Sequence, residues 1–281
     1  MLAARPPPLA GIDRLLVDAE LVARLRRRRV GLLSNRACMT RDGAQTAYAL
    51  ACALGTGAQG LVRLFAPEHG WSVADGAGVG DGIEPELGLP VHSLYGPRRA
   101  PAPEALDDLD AVIIDLQDVG VRCYTYATTA ALVLATLAGR GVEAIVCDRP
   151  NPLGTRVAGP MLDPDLRSFV GYFDVPYRHG RTLGTLLGDF ASQRLDGKVE
   201  LTVIPAGDEP LAPPGPWTPP SPALPDWEAV LLYPGLVLLE GTNVSEGRGT
   251  DAPFRSVAAP GLDGEALATH LNAVPETGVR A

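Results

Sequence analysis

The sequence predicts an α/β fold, a Rossmann-like parallel sheet with helices on both faces, followed by the start of a smaller C-terminal domain. Three observations predict it. Short apolar runs of strand length alternate with longer stretches of helical spacing, the pattern of parallel strands joined by crossover helices. The core has to be built mostly from Ala, Val and Leu, because 46% of residues are hydrophobic but only 5% aromatic, which suits helices laid on a parallel sheet. The apolar runs also end in polar clusters, and in open α/β sheets ligands bind beyond the carboxyl ends of the strands. At 281 residues the chain can bury a sizeable core as one large domain or one and a fraction.

Residues 1–10 hold three prolines and read as a flexible lead. Ile12–Arg28 reads as a helix, with Leu15, Leu16, Val22 and Leu25 at helical spacing. Val30–Ser34 is a strand and the Ala-rich Gln45–Leu54 a helix. Leu61–Phe65 is a strand stopped by Ala66-Pro67, since proline cannot donate to a ladder. Val91–Leu94 and Ala111–Asp115 are strands, the second fully buried, and Tyr126–Ala138 is an apolar helix closed by Gly141. Ala144–Cys147 is a strand and Thr182–Arg194 a helix capped by Thr182. Leu201–Ile204 and Ala229–Tyr233 read as two more strands, and Asp263–Asn272 as a last helix. Between Gly207 and Pro225 proline is too dense for helix or central strand, which leaves a linker or a loop across the sheet. The expected domains are 1–255, the Rossmann-like body, and 256–281, the incomplete opening of a smaller domain.

A net charge of −9, with Arg26–Arg29 as the only basic cluster, argues against a nucleic-acid or anionic-membrane partner. That cluster reads as the solvated end of a helix. Cys38, Cys52, Cys123 and Cys147 are too widely spaced for a disulfide framework or a zinc site and read as buried free thiols. With neither a signal-peptide core nor a spanning apolar run, a reducing cytoplasm is the expected place. Gly76-Ala77-Gly78-Val79-Gly80 lacks the GxGxxG spacing, and Walker A, HExxH and GxSxG motifs are absent, so a nicotinamide or nucleotide enzyme is not expected.

What remains is carboxylates, amides, arginines and tyrosines at the strand ends. Asn35 and Arg36 follow the first strand, and Glu68-His69 the second. Gln117 and Asp118 follow Asp115, with Arg122, Tyr124 and Tyr126 soon after. Asp148, Arg149 and Asn151 follow the next strand; later come Arg178-His179-Gly180, Glu240-Gly241-Thr242-Asn243 and Ser245-Glu246-Gly247-Arg248-Gly249. Sugar cleavage needs such a set: one carboxyl protonates the leaving oxygen and a second group attacks or stabilises the anomeric carbon.

Several stretches carry a resemblance. They are Gly31-Leu32-Leu33-Ser34-Asn35, Leu64-Phe65-Ala66-Pro67-Glu68-His69-Gly70, Leu89–Gly96, Asp115–Tyr126, Asp148-Arg149-Pro150-Asn151-Pro152, Ser168–Gly171, Arg178-His179-Gly180 and Leu239–Thr250. In this order, along nearly the whole chain, they resemble the exo-β-N-acetylmuramidase family. The resemblance implies an enzyme that removes N-acetylmuramic acid from the non-reducing end of peptidoglycan fragments, with no metal or organic cofactor and a saccharide as its partner. It also implies a smaller C-terminal domain with the active site in the cleft between the two, and family members continue beyond position 281. The chain departs from the family in a shorter stretch after Gly70 and in His92 where a Tyr is usual.

On that resemblance Glu68 is the expected general acid/base, with His69 tuning or orienting it. Asp118, Asp148 and Glu246 are alternative second carboxylates, while Asp115 is expected to be structural. Asn35, Gln117, Asn151 and Asn243 suit recognition of hydroxyl or N-acetyl groups. The lactyl carboxylate of muramic acid needs a cation, for which Arg122, Arg178 and Arg248 are candidates. Tyr124 would line the sugar or stabilise charge at the anomeric carbon, and His179 is either a ligand or a core histidine. The same set would also serve a hydrolase of another acidic or amino sugar, or a non-catalytic sugar-binding protein.

Overall fold

The computed structural model describes residues 7–73, 80–207 and 217–274. The glycine-rich 76–79, residues 1–6 of the lead, much of the proline-dense segment and residues 275–281 lie outside it. The chain divides into two compact units, residues 1–222 and 223–281, so the division expected after residue 255 falls within the second.

The first unit opens with α1 (Gly11–Val17) and α2 (Ala19–Leu25), then β1 (Arg29–Leu33), α3 (Thr46–Leu54) and β2 (Gly60–Ala66). Next come β3 (Gly82–Glu84), β4 (Leu89–Ser93), β5 (Ala111–Ile114), α4 (Thr125–Leu137) and β6 (Glu143–Cys147). A two-stranded antiparallel ribbon, β7 (Ala158–Met161) with β8 (Pro176–Arg178), precedes α5 (Leu183–Arg194) and β9 (Leu201–Ile204). The second unit holds α6 (Trp227–Leu236) and α7 (Gly264–Ala273).

Seven strands form one sheet in the order β3-β4-β2-β1-β5-β6-β9, parallel throughout except for the short edge strand β3, which runs against β4. All four residues of β5 are fully buried, as expected of a strand covered on both faces. Ile113, Ile145, Leu32 and Leu64 pack under Leu15, Leu25 and Leu50 of α1–α3. Helices α4 and α5 pack on each other and on β6 and β9, with Val133, Leu134 and Leu187 buried. Each such side chain contributes roughly 1.5–3 kcal/mol by leaving water. From β1 the chain steps outward to β2 and β4, then returns to β5 and steps the other way to β6 and β9. The order therefore reverses between β1 and β5, the place where open sheets bind ligands.

Several expectations are corrected. The single helix expected over Ile12–Arg28 is two, because Asp18 adopts an extended backbone (φ −78°, ψ 95°) and accepts from Leu21 N to cap α2. Ala229–Tyr233 is part of helix α6, capped by Asp226; a short apolar run does not distinguish strand from buried helix. Strands β3, β7 and β8 were not read from the sequence, being three or four residues long. The basic run is not simply solvated: Arg28 joins Arg24 on Glu143, and Arg29 opens β1 and pairs with Asp108 at 2.5 Å. Of the four free cysteines Cys38 and Cys147 are buried, but Cys52 is exposed on the outer face of α3. No helix among the described residues is long and apolar enough to cross a membrane.

Candidate active site

Four loops meet at the carboxyl edge of the first unit, those following β1, β2, β5 and β6. After β2, Pro67 ends the strand, and His69 and Gly70 both take the left-handed backbone (φ 69° and 68°). Glycine adopts that region freely, whereas histidine holds it at a cost of about 1–3 kcal/mol that the surroundings must sustain. Such strain gathers at functional loops. The turn leaves Glu68 half-buried, and Thr125, first residue of α4, donates its hydroxyl to Glu68 Oε2 at 2.6 Å. Glu68 Oε1 accepts no hydrogen bond from the described residues.

Tyr126, one residue further along α4, supports this loop from below. Its hydroxyl accepts from Asn35 Nδ2 at 2.9 Å, donates to Pro220 O and lies 3.3 Å from the Glu68 carbonyl oxygen. Complete burial pushes the phenol far above its ordinary range, so it stays a hydroxyl. Tyr124 is buried, its ring 4.7 Å from that of Tyr126. Asn35 was expected to read a ligand, but it is fully buried and its Oδ1 accepts from Ala37 N at 3.1 Å. It serves the loop instead, by holding Tyr126. Arg36 N donates to Trp71 O at 2.9 Å, which ties the loops after β1 and β2 together.

Asp118 and His179 form a second, buried cluster. Asp118 Oδ2 accepts from Gly120 N at 2.7 Å and lies 3.3 Å from His179 Nε2. Because His179 Nδ1 accepts from Arg181 N at 3.2 Å, the imidazole proton belongs on Nε2, pointing at Asp118. His179 is therefore a core histidine with both nitrogens engaged. Asp118 Oδ1 is buried with no hydrogen-bond partner among the described residues. Gly120 has φ 80°, and a Cβ there would lie 2.3 Å from Asn151 Oδ1, so only glycine fits. Asn151 in turn donates to Arg181 O and accepts from Leu153 N, and its amide is spent on this turn.

Asp148, expected as a second carboxylate, caps a helix. Its Oδ1 accepts from Gly184 N at 2.8 Å, in the first turn of α5, and from Arg149 N at 3.0 Å. Burial raises its carboxyl above the ordinary aspartate value.

The expected cations differ in what holds them. Arg122 Nη1 donates to Pro160 O at 2.9 Å and Val175 O at 2.6 Å, fastening the loop after β5 to the ribbon segment. Arg178 donates to Leu153 O, its Nε is buried without a partner, and no carboxylate pairs with it among the described residues. Burial and the like charge of Arg156 lower its guanidinium from the ordinary value.

Asp115 is structural, as expected. It receives Arg149 Nε at 2.6 Å and Nη2 at 2.8 Å, and the Thr46 hydroxyl at 2.6 Å. Arg149 Nη2 also donates to Met39 O at 3.0 Å, so this one pair joins β5, β6, α3 and the loop after β1. Beside it a cavity of about 350 Å³ is lined by Arg149, Gln117, Met39 and Trp217, among others. Thr125, Tyr126 and Arg149 were not assigned roles from the sequence. The available signal was position, since two open a helix under the Glu68 loop and the third stands next to Asp148.

In the second unit Arg248 pairs with Glu240 and lies 3.5 Å from Glu246 Oε1, with its guanidinium 5.1 Å from the Phe254 ring centre. Phe254 is fully buried against Tyr233. Arg248 thus organises a compact loop around Glu246; Asn243 is exposed on it. Among the described residues no group of three or more His, Cys, Asp or Glu could hold a metal ion.

Comparison with known proteins agrees across the whole chain. A family model described as exo-beta-N-acetylmuramidase NamZ, N-terminal, matches residues 30–228, and its C-terminal counterpart matches residues 231–281. The peptidoglycan beta-N-acetylmuramidase NamZ of Bacillus subtilis (strain 168) is 37% identical, over 99% of this chain and 67% of its own. A solved DUF1343 family protein from Bacteroides fragilis NCTC 9343 superposes with a TM-score of 0.81 at 32% identity, covering 95% of this chain and 69% of the other. A second from the same organism gives 0.75 at 32% identity, over 91% and 68%.

Proposed function

The chain belongs to the exo-beta-N-acetylmuramidase NamZ family, and from that membership we propose that it is a glycoside hydrolase releasing N-acetylmuramic acid from the non-reducing end of peptidoglycan fragments. The observation that carries the chemistry is Glu68, a half-buried carboxyl at the sheet edge, held at Oε2 by the Thr125 hydroxyl on a strained turn. In this reading Glu68 protonates the glycosidic oxygen as the bond to the anomeric carbon breaks. Thr125 keeps the carboxyl oriented, so little freedom is lost on reaching the transition state. Asp118 is the second carboxylate, chosen because Asp148 is committed to α5 while Asp118 keeps one oxygen without a partner. Tyr124 backs the site through Tyr126.

Arg178 reads the lactyl carboxylate. Arg122 is spent on carbonyls, whereas Arg178 carries a positive charge that no acid among the described residues offsets. The reading carries with it a cytoplasmic place, which the wide cysteine spacing supports, and a part in cell-wall recycling.

Rates on a chromogenic β-N-acetylmuramide and the matching β-N-acetylglucosaminide test this. A site that pairs a charge rejects an analogue lacking it far more than an apolar pocket rejects a missing methylene. Muramide should be preferred by several orders of magnitude. Arg178→Leu should lower kcat/KM on muramide by roughly a hundredfold or more and leave the slow glucosaminide reaction nearly unchanged. Equal wild-type rates on the two substrates would overturn the assignment.

A further inference from the structure

We propose that the cavity at the reversal of strand order between β1 and β5 is a subsite for an N-acetylated sugar, with Arg149 and Gln117 reading the amide of its acetamido group. The inference rests on the glycosidase reading above and adds to it the groups that recognise the N-acyl substituent. At about 350 Å³ the cavity is near the lower end of the range for small-molecule sites, and it sits where open sheets bind ligands.

Two polar groups there are fixed before any ligand arrives. The Arg149 side chain is 10% exposed; Asp115 holds Nε and Nη2, and Met39 O takes a further bond from Nη2. Nη1 makes no hydrogen bond among the described residues, so on a guanidinium fixed by its other nitrogens it is an oriented donor left for a ligand. The neighbouring Asp115 balances the guanidinium charge, which disfavours an anionic ligand group and suits a neutral acceptor such as a carbonyl oxygen. Gln117 supplies the complement. Its Nε2 donates to Asp118 O at 2.8 Å and Pro150 O at 3.1 Å. Both are carbonyls that can only accept, so the orientation of the amide is set and Oε1 is what Gln117 can offer a ligand.

A fixed donor beside a fixed acceptor matches a secondary amide, whose C=O accepts and whose N–H donates. Among the remaining walls Pro8, Ala37, Met39 and Trp217 are apolar and suit a methyl group and the face of a pyranose, while Thr40, Arg41, Asp42 and Thr218 offer polar groups to its hydroxyls. An ammonium has no acceptor to offer Arg149, so the deacetylated sugar leaves that donor unpaired and the site selects against it.

The test separates binding from turnover. In the full chain carrying Glu68→Gln, calorimetry measures affinity for N-acetylmuramoyl-N-acetylglucosamine and for the same disaccharide lacking the acetyl group on the muramoyl amine. The acetylated ligand should bind at least tenfold more tightly. Adding Gln117→Leu should weaken the acetylated ligand at least tenfold and the deacetylated one less than twofold, whereas Trp217→Ala, which removes a wall for the sugar ring, should weaken both and the acetylated ligand at least tenfold. Arg149→Lys, which keeps a charge for Asp115 but lacks Nη1, should act like Gln117→Leu; thermal melts of all variants report whether they are folded. Equal affinity for the two ligands, absence of binding, or wild-type affinity in both the Gln117 and Trp217 variants would overturn the proposal. Acetyl-dependent binding that needs Gln117, in a chain whose Glu68 form does not hydrolyse muramides, would support the subsite and sink the glycosidase reading instead.

Discussion

At the scale of single residues, Glu68 differs from the other candidate carboxylates in how it is used. Asp115 is closed by Arg149 and Asp148 by the start of α5, and Asp118 is buried with Oδ2 on Gly120 and His179 and Oδ1 without a partner among the described residues, whereas Glu68 meets one hydroxyl and keeps partial access to solvent. Replacing Glu68 by Gln keeps shape and the acceptor for Thr125 but removes the transferable proton. General acid catalysis contributes about 10²–10⁴-fold, so kcat on a natural disaccharide should fall by that order while affinity persists. A nitrophenyl muramide, whose leaving group needs less protonation, should suffer less. Retention of more than a tenth of wild-type turnover on the disaccharide, with Asp118→Asn inactive, would place the acid elsewhere. The turn at Pro67-Glu68-His69-Gly70 was legible because the proline and glycine punctuate it. The fate of Asn35 was not, because an amide that binds ligand and one that binds a buried tyrosine look alike in sequence.

At the scale of elements, the edge of the sheet is organised by helix starts. Helix α4 opens with Thr125 and Tyr126 beneath Glu68, and α5 opens on Thr182 and the Asp148 carboxylate. Gly184 is needed there, since a Cβ would lie 2.7 Å from Asp148 Oδ2. Asp148→Ala should cost roughly 1–3 kcal/mol, by orphaning buried amides, as read from denaturant unfolding. Asp148→Asn keeps the acceptor and should hold kcat within a few-fold of wild type, whereas a catalytic carboxylate would not tolerate it. Burial raises the Asp148 carboxyl, so the folded state holds that proton more tightly than the unfolded chain. Its contribution therefore falls as pH climbs from the ordinary aspartate value through the raised one, and the Asn variant should lose this dependence. Long periodic elements such as α3, α4 and α5 were read within a residue or two. The apolar run in α6 was misread as strand, since five apolar residues fit either period and the cap at Asp226 lies outside the run.

At the scale of the molecule, buried ion pairs tie distant segments together, and they set its response to acid. Glu143 binds Arg24 and Arg28, joining α2 and the chain after it to β6; Glu84 binds Arg36 and Tyr48, joining β3 to the loop after β1 and to α3. Burial alone would push both carboxyls up. It is outweighed by the Arg24 and Arg28 contacts in one case and by Leu87 N, Arg36 and Tyr48 in the other, so both lie below the ordinary glutamate value of 4.5. A lowered folded value means that the stabilisation is present above 4.5 and lost as pH falls through the lowered values. Melting temperature should therefore drop as pH is taken below about 4.5, and Glu143→Gln with Glu84→Gln should flatten that drop while starting from a lower plateau at neutral pH. An unchanged acid slope in the double variant would show that other carboxylates govern it.

What the sequence determined by itself was everything that depends on near neighbours in the chain. It determined the alternation of strand and helix, the Thr182 cap, the proline stop before Glu68 and the polar clusters at strand ends, because periodicity and local hydrogen bonding are written in adjacent residues. The tertiary structure decided which polar residues face a ligand and which face each other. Asn35 meets Tyr126 91 residues away, Arg149 meets Asp115 34 residues away, and Arg24 meets Glu143 across 119. Sheet order brings these partners together. A buried polar group must find a partner wherever the fold supplies one, so its role follows from the neighbours that strand pairing creates rather than from its own chemistry.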